Sequence, residues 1–587
     1  MLTKGNVLLW MPRLVFFVIA AICIGQYLHY INAILSFPYD WEPTDGDHLN
    51  FAHRLAQGLP IYLSIRSGEV LSIYNPLYHG IVALLGGEHA SLSFARTIAF
   101  VFWALCPLTV FFYFRKSWGH FYALIAALFI WLPAEPMMLV DIVQVSPNST
   151  MAFMFLATLL YAEHCSENQN TQWWGWILLG GISALCYLAK QQGIIAFVSV
   201  MAFLLIKPRN VRALLLTALG FLLVFILSTA YLEWLNSGEY LKSTLIDLHR
   251  IMITYPLLAQ QRLRTFVYDE HFYFLVGVFA SFAVTRLQPL RLTVWHVSYI
   301  LHIPLLLSIL GNGGGGPNYF VTFWIVTVLI CVGLVKELEG SQGATWSVAS
   351  VRAGISQIFN RDHIGLQAVF VWAVVAWILV FIIKSLGAAE YFLIVWVGGL
   401  VGFIIYKDNN KLKQLAKLTV QIKRYISEFG LSGSFVFSQV LLILLFLNIS
   451  IATLEIRRNL NSISLPTQTL NQLMQDYYQT IGNLIESKPN ARVLTNRNIG
   501  ALVEHGADVR NEGSTTFSYA WEFPRLFPHE VLLSSIRTKK YDLITTGIQP
   551  YPAEVRKAIY ENYQVAFTKD VNIYFGKVGQ ATVYIPK

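Results

Sequence analysis

The residues most able to do chemistry come in a short acidic run. Asp40, Glu42, Asp45 and Asp47 lie within eight residues, followed by His48 and His53. Carboxylates so placed can sit in solvent, cap a helix that starts near His48, or take a proton from a bound hydroxyl. Asp47 suits the capping role and Asp45 the functional one. His48 and His53 are five residues apart. That spacing does not bring two side chains to one helix face, where neighbours are three or four apart, so no zinc site is expected. Further along stand Asp141, Lys190, the pair Arg262 and Arg264, and a glycine run at 313–316 before Asn318 and Tyr319. Gly313 to Gly316 permit backbone angles that let N–H groups approach an anion, or that simply make a tight connection.

The elements that must position these residues are membrane helices. Of 587 residues, 55% are hydrophobic and 13% charged, and the mean hydropathy is +0.53. A soluble domain carries roughly 25% charged residues, so lipid is the solvent for most of the chain. A helix needs roughly 20 apolar residues to cross the hydrocarbon. Spans are expected near 14–35, 94–113, 119–134, 148–163, 173–189, 193–206, 212–232, 272–286, 292–310, 319–335, 366–384, 389–406 and 434–453. The first is too long for a signal-peptide core and lacks a small-residue cleavage site, so it reads as a retained helix.

Charge sets the orientation. With the N-terminus in the cytoplasm, the basic loops at 115–116, 207–212, 286–291, 336–361 and 407–424 all fall inside, as the positive-inside rule requires. The net charge of +9 follows from these loops, and no nucleic-acid partner is indicated. None of Cys23, Cys106, Cys165, Cys186 and Cys331 forms a CxxC pair, so neither a disulfide framework nor a zinc site is indicated.

The scheme puts four segments outside: 36–93, which alternates apolar and polar residues at helical spacing; 133–147; 233–271, amphipathic over 241–261; and 311–319. The expected architecture is therefore mainly α, a polytopic bundle of about 13 transmembrane helices over 1–454. A small extracytoplasmic α/β domain follows over 455–587. In that tail, 491–498 and 541–547 read as strands, 553–563 as a helix, and the last stretch as paired strands. It holds no phosphate loop and no nucleophile motif, and reads as an accessory. The location expected is the plasma (inner) membrane.

Four stretches then carry a resemblance. Thr44-Asp45-Gly46-Asp47-His48-Leu49 with Ala52, Leu55, Gly58 and Tyr62, followed by Pro76-Leu77-Tyr78, resembles an acidic D-E-G-x-x-L-x-x-A-x-x-L-x-x-G-x-x-x-Y loop and its P-L-Y sequel. The segment 145–160 is similar to an R-P-D-x-L-A segment, with Ser146 for Arg and Asn148 for Asp. The segment 187–198 resembles L-x-K-Q-x-G. The segment 313–324 resembles G-x-x-x-N-Y-x-x-E, with Phe323 or Trp324 where an acid is common. Together, over roughly 1–335, these resemble the GT-C fold glycosyltransferases, the superfamily of protein O-mannosyltransferases and lipid A aminoarabinose transferases.

The resemblance implies an inverting glycosyltransferase. It would move a sugar from a polyprenyl-phosphate carrier to a glycan, lipid or protein acceptor outside the cytoplasm. The acidic pair is occupied by Thr44-Asp45 or Asp45-Gly46, depending on register. Asp45 is then the first choice as base, with Asp47 the alternative. The departing phosphate needs cations. Lys190 at the outer end of a helix is the first candidate, and Arg262 and Arg264 beside an interfacial stretch are the next. His48, Asp141, Asn148, Asn318 and Tyr319 would line the substrate. No cofactor is required by this chemistry, though a divalent metal is compatible with it. A lipid-linked-glycan transporter or flippase would instead show ionisable residues near the midplane and repeated halves, neither of which is evident. A polysaccharide polymerase or ligase differs mainly in its donor.

Overall fold

The computed structural model describes residues 4–132 (except 43 and 70–71), 144–168, 171–206, 210–247, 293–309 and 320–340. In the tail it describes 467–587 except 489, 496–498, 511–520, 522–526, 547–550 and 575–576. The chain forms two compact units. One comprises 1–270, 293–328 and 448–587; the other comprises 271–292 and 329–447, of which 329–340 is described.

In the membrane part, helices α1 (Lys4–Leu35), α4 (Leu92–Phe114), α5 (Gly119–Trp131), α6 (Asn148–Glu167), α7 (Trp173–Ala189), α8 (Ile194–Ile206), α9 (Val211–Leu235), α10 (Val294–Ile309) and α11 (Val321–Gly340) fall on nine expected spans. The spans expected at 272–286, 366–384, 389–406 and 434–453 lie outside the described residues. By length and hydropathy, α4 and α9 are each sufficient to cross a membrane. Both turn large apolar side chains outward, among them Val101, Leu108 and Phe112 on α4 and Leu219, Ile226 and Leu227 on α9. A soluble protein would cover so much apolar surface; here it suits lipid.

Helix starts are set by local chemistry. Ser91 Oγ accepts the Phe94 N–H at the head of α4, and Asn210 Oδ1 accepts the Ala213 N–H at the head of α9. These are ordinary N-caps. Helices α7 and α9 cross at Gly180 and Gly220. A Cβ on Gly180 would overlap the Thr217 carbonyl oxygen, and one on Gly220 the Ile177 carbonyl oxygen. Small residues let two membrane helices approach to backbone contact.

Between α1 and α4, the loop 36–93 folds as expected into helical pieces, α2 (Asp45–Ala56) and α3 (Leu77–Gly86). One expectation is corrected here. Helix α2 starts at Asp45 rather than near His48, and Thr44 takes the cap position without a side-chain hydrogen bond. Asp47 therefore lies inside the first turn and does not cap. Ten consecutive residues of α2, Asp45 to Arg54, are buried, because the helix is enclosed on several sides.

The tail encloses one of them. Its helices are α12 (Gln468–Glu486), α13 (Ile499–Glu504), α14 (His529–Arg537) and α15 (Ala553–Asn562). Its strands β1 (Arg492–Thr495), β2 (Asp508–Val509), β3 (Leu543–Thr546), β4 (Tyr563–Tyr574) and β5 (Lys577–Pro586) form one sheet ordered β2-β1-β3-β5-β4. The first three strands are parallel, and β5 joins β3 and β4 antiparallel. The strands expected near 491–498 and 541–547, the helix at 553–563 and the terminal hairpin are all present. Helix α12 was not expected. It is capped by Thr467, whose Oγ1 accepts the Leu470 N–H at 3.1 Å, and it buries Leu470, Met474, Tyr477, Tyr478, Ile481 and Ile485, a stripe at helical spacing.

Candidate active site

Five of the residues singled out in the sequence meet at one end of the bundle: Asp45, Asp47 and His48 on the first turn of α2, Asn148 at the head of α6, and Lys190 just past α7. All five are buried.

Asp45 is the most heavily engaged. Its Oδ2 forms an ion pair with Arg96 Nη2 at 2.6 Å, both side chains being 0% exposed. The same oxygen accepts the N–H groups of Trp41 at 3.2 Å and Glu42 at 3.3 Å. Oδ1 accepts the Val145 N–H at 2.8 Å. Four donors thus converge on one carboxylate. Arg96, on α4, also donates to the backbone carbonyls of Ile34, Phe37 and Tyr39. Its planar fork joins the end of α1, the acidic loop and α2 in one node.

Arg96 was not singled out in the sequence, though it falls inside an expected span. An ionisable residue there is a functional or structural marker by default, and that signal was available.

Lys190 caps α7 in an extended conformation, and its Nζ donates to Asn148 Oδ1 at 2.7 Å. The Asn148 amide adds no charge of its own. His48 feels the lysine's charge. Burial, with Lys190 adding to it, lowers the His48 imidazole to about 3, so the ring is neutral at physiological pH. Its Nδ1 lies 2.8 Å from Nε2 of His79 on α3, with the rings stacked at 5.0 Å. Burial also holds His79 well below the usual histidine range. One nitrogen of the pair donates and the other accepts. His79 has no sequence signal of its own, since a lone histidine on an apolar helix reads as core. His53 serves elsewhere, its Nε2 lying 2.6 Å from the Ala90 carbonyl oxygen.

Asp40 turns toward the tail domain. Its Oδ2 accepts the Tyr478 hydroxyl at 3.0 Å and its Oδ1 the Gly500 N–H at 3.3 Å. Burial, then the charge of Asp45, pushes its carboxyl up to about 7. Asp141, Arg262, Arg264, Asn318, Tyr319 and Gly313 to Gly316 lie outside the described residues. Among the described residues, no group of three His, Cys, Asp or Glu side chains is placed to hold a metal ion.

Carboxylates and a buried cation stand within one cluster, with a neutral imidazole between them in charge terms. The family model for dolichyl-phosphate-mannose-protein mannosyltransferase matches residues 77–234. The fold is similar to the crystal structure of ArnT from Cupriavidus metallidurans bound to undecaprenyl phosphate. There the identity is 13%, the TM-score 0.53, and 96% of this chain and 97% of that one are covered. The apo form of the same protein gives a TM-score of 0.52 at 12% identity, with the same coverage of each chain. The archaeal oligosaccharyltransferase AglB from Archaeoglobus fulgidus, in complex with an inhibitory peptide and a dolichol-phosphate, gives 0.47 at 11% identity, covering 97% of this chain and 74% of that one. That score adds nothing to the fold assignment. None of the curated proteins matches the sequence. The family model over 77–234 and a fold shared over nearly the whole length thus make the chain similar to the GT-C fold membrane glycosyltransferases, the superfamily of the protein O-mannosyltransferases and aminoarabinose transferases.

Proposed function

We propose that this enzyme is an inverting glycosyltransferase that moves a sugar from a polyprenyl-phosphate carrier to a glycan, lipid or protein acceptor on the extracytoplasmic side of the plasma (inner) membrane. The observation that carries the proposal is the meeting of the α2 carboxylates with buried Lys190 at one end of the bundle. In the transfer, the acceptor hydroxyl oxygen bonds to the anomeric carbon while the bond from that carbon to the carrier phosphate breaks. The phosphate leaves with the electron pair, and the hydroxyl proton passes to a carboxylate. The base and the phosphate's partner must therefore be close together but on opposite sides of the sugar.

The contacts favour Asp47 as the base and Asp45 as its anchor. Asp45 already accepts four hydrogen bonds, one from a guanidinium, and taking a proton would break that node. Asp47 occupies the same first turn, two residues on, about 200° around the helix axis. Lys190 takes the phosphate, with Asn148 holding its ammonium in place and neutral His48 beside it. The orientation is the one expected from the basic loops, N-terminus in the cytoplasm and tail outside. The tail's contacts with α2 at Asn50 and Arg54 support a shared side for the tail and the acidic loop.

The test uses purified protein and a panel of radiolabelled polyprenyl-phosphate sugars. Transfer or hydrolysis by the wild type, lost in Asp47→Asn with the fold retained, is the expected result. Passage of a lipid-linked glycan across liposomes without any sugar transfer would replace the enzyme reading with a transporter.

A further inference from the structure

The tail was expected to be an accessory, yet it grips the segment that leads into the acidic turn. Asn572 on β4 donates through Nδ2 to the Asp40 carbonyl at 2.7 Å and to the Trp41 carbonyl at 3.2 Å. Tyr478 on α12 donates to the Asp40 carboxylate, and its oxygen accepts the Asp40 N–H at 3.3 Å. The Trp41 N–H in turn donates to Asp45 Oδ2. From the tail to the anchor carboxylate the path is thus one residue long, with a hydrogen bond at each end.

A second line of contact runs along α2. Gly46, Asn50 and Arg54 are four residues apart and share one helix face. All three meet the tail. A Cβ on Gly46 would overlap the Gly500 backbone nitrogen. Asn50 Nδ2 donates to the Val509 carbonyl at 3.3 Å, and Arg54 pairs with Asp508 at 2.8 Å. A third contact, the Glu69–Arg492 ion pair, holds the loop after α2. Apolar packing alone would join two domains. Buried polar groups that end on the backbone of residues 40 and 41 do more, because a hydrogen bond fixes distance and direction where apolar contact does not. Asp40, Tyr478 and Asn572 are all buried, so water does not compete for these bonds.

We propose that the tail domain completes the active site, with Tyr478 and Asn572 as positioning residues that hold the 40–41 backbone and through it the turn bearing Asp45 and Asp47. The proposal rests on the transfer reading above only for its kinetic arm.

The test uses full-length protein in lipid nanodiscs and the variants Tyr478→Phe and Asn572→Leu. Lys569→Ala serves as a control, since it breaks only the exposed Lys569–Asp476 pair within the tail. Hydrogen exchange over residues 38–47 is read first. Losing a hydrogen bond of ordinary net strength changes an opening equilibrium roughly tenfold. Exchange at the Trp41 and Glu42 amides should rise by about that factor in both variants and in neither the control nor strands β1 and β3. In the kinetic arm, kcat falls while the donor KM stays within about twofold, the signature of a misplaced catalytic group.

Unchanged exchange at 38–47 overturns the proposal. So does a rise spread evenly over the tail, or a local rise with unaltered kcat. If the wild type transfers no sugar at all, the transfer reading fails and the exchange result alone decides the positioning role.

Discussion

Arg96 and Asp45 form an ion pair of 2.6 Å with both side chains removed from solvent, and the pair ties α4 to the first turn of α2. Breaking one half of such a pair leaves an uncompensated buried charge, which typically costs about 3–5 kcal/mol. Arg96→Met is expected to lower the thermal midpoint sharply in detergent. Arg96→Lys should not restore it, because an ammonium cannot reproduce the fork that also reaches the Phe37 and Tyr39 carbonyls. The double variant Arg96→Met with Asp45→Asn, which removes the charge and keeps an acceptor for the Val145 or Trp41 N–H, should melt above Arg96→Met alone. A double variant no better than the single would show that the pair is not the node described.

Lys190 meets Asn148 at 2.7 Å, and the role proposed for it as the phosphate's partner makes a binding prediction. A hydrogen bond to a charged group contributes about 1.5–3 kcal/mol, so Lys190→Met should weaken undecaprenyl-phosphate binding by roughly ten- to a hundredfold. Asn148→Ala should weaken it less. Titration of the lipid phosphate into nanodisc-held protein reads both. Wild-type affinity in Lys190→Met would remove the residue from the donor site.

Gly180 and Gly220 permit the backbone contact between α7 and α9. Gly180→Val inserts a branched side chain where the Thr217 carbonyl already sits. Overpacking of this kind costs about 1–3 kcal/mol, occasionally more. Lower yield of folded protein and a depressed melting midpoint are expected. Lys190 caps the same helix, so surviving molecules should show a raised donor KM as well.

The seam between tail and acidic loop also carries a pH dependence. Asp40 is raised from 3.8 to about 7 by burial and by Asp45, with Tyr478 and Arg96 opposing and Glu504 adding. Glu504 on α13 is raised from 4.5 to about 7, chiefly by burial, with Arg96 and its backbone contact near Leu92 opposing. Each group keeps its proton in the folded state to a higher pH than in the unfolded state. The stability Asp40 contributes is therefore fully present below about pH 4 and is lost as pH rises through about 7, at up to about 1.4 kcal/mol per pH unit, and Glu504, whose side chain is exposed, adds a smaller, solvent-screened part of the same sign. Melting midpoints should fall between pH 5 and pH 8, and the fall should shrink in Asp40→Asn and Glu504→Gln. An equal slope in wild type and both variants would place the titrating groups elsewhere.

Local chemistry made much of this protein legible. Apolar runs and their lengths located nine described helices, among them 173–189 to the residue, because a lipid-facing helix must satisfy its backbone internally and be apolar along its length. Alternation and turn residues located β1, β3 and the terminal hairpin for a similar reason, since pleat and period are properties of the segment. The acidic run, Asn148 and Lys190 were legible as types of residue at the ends of those helices.

Partnership was not legible, because it depends on residues far apart in sequence. Asp45 and Arg96 are 51 residues apart, Asn148 and Lys190 42, and Asp40 and Tyr478 438. No periodicity within a segment records which distant side chain will lie within 3 Å. The sequence by itself therefore determined the solvent of each segment and the supply of reactive groups. Tertiary packing alone decided that Asp45 is an anchored carboxylate, that His48 stacks on His79, and that the tail domain grips the loop before α2. Burial makes each of those pairings matter, since a charge or polar group removed from water must find its partner within the fold.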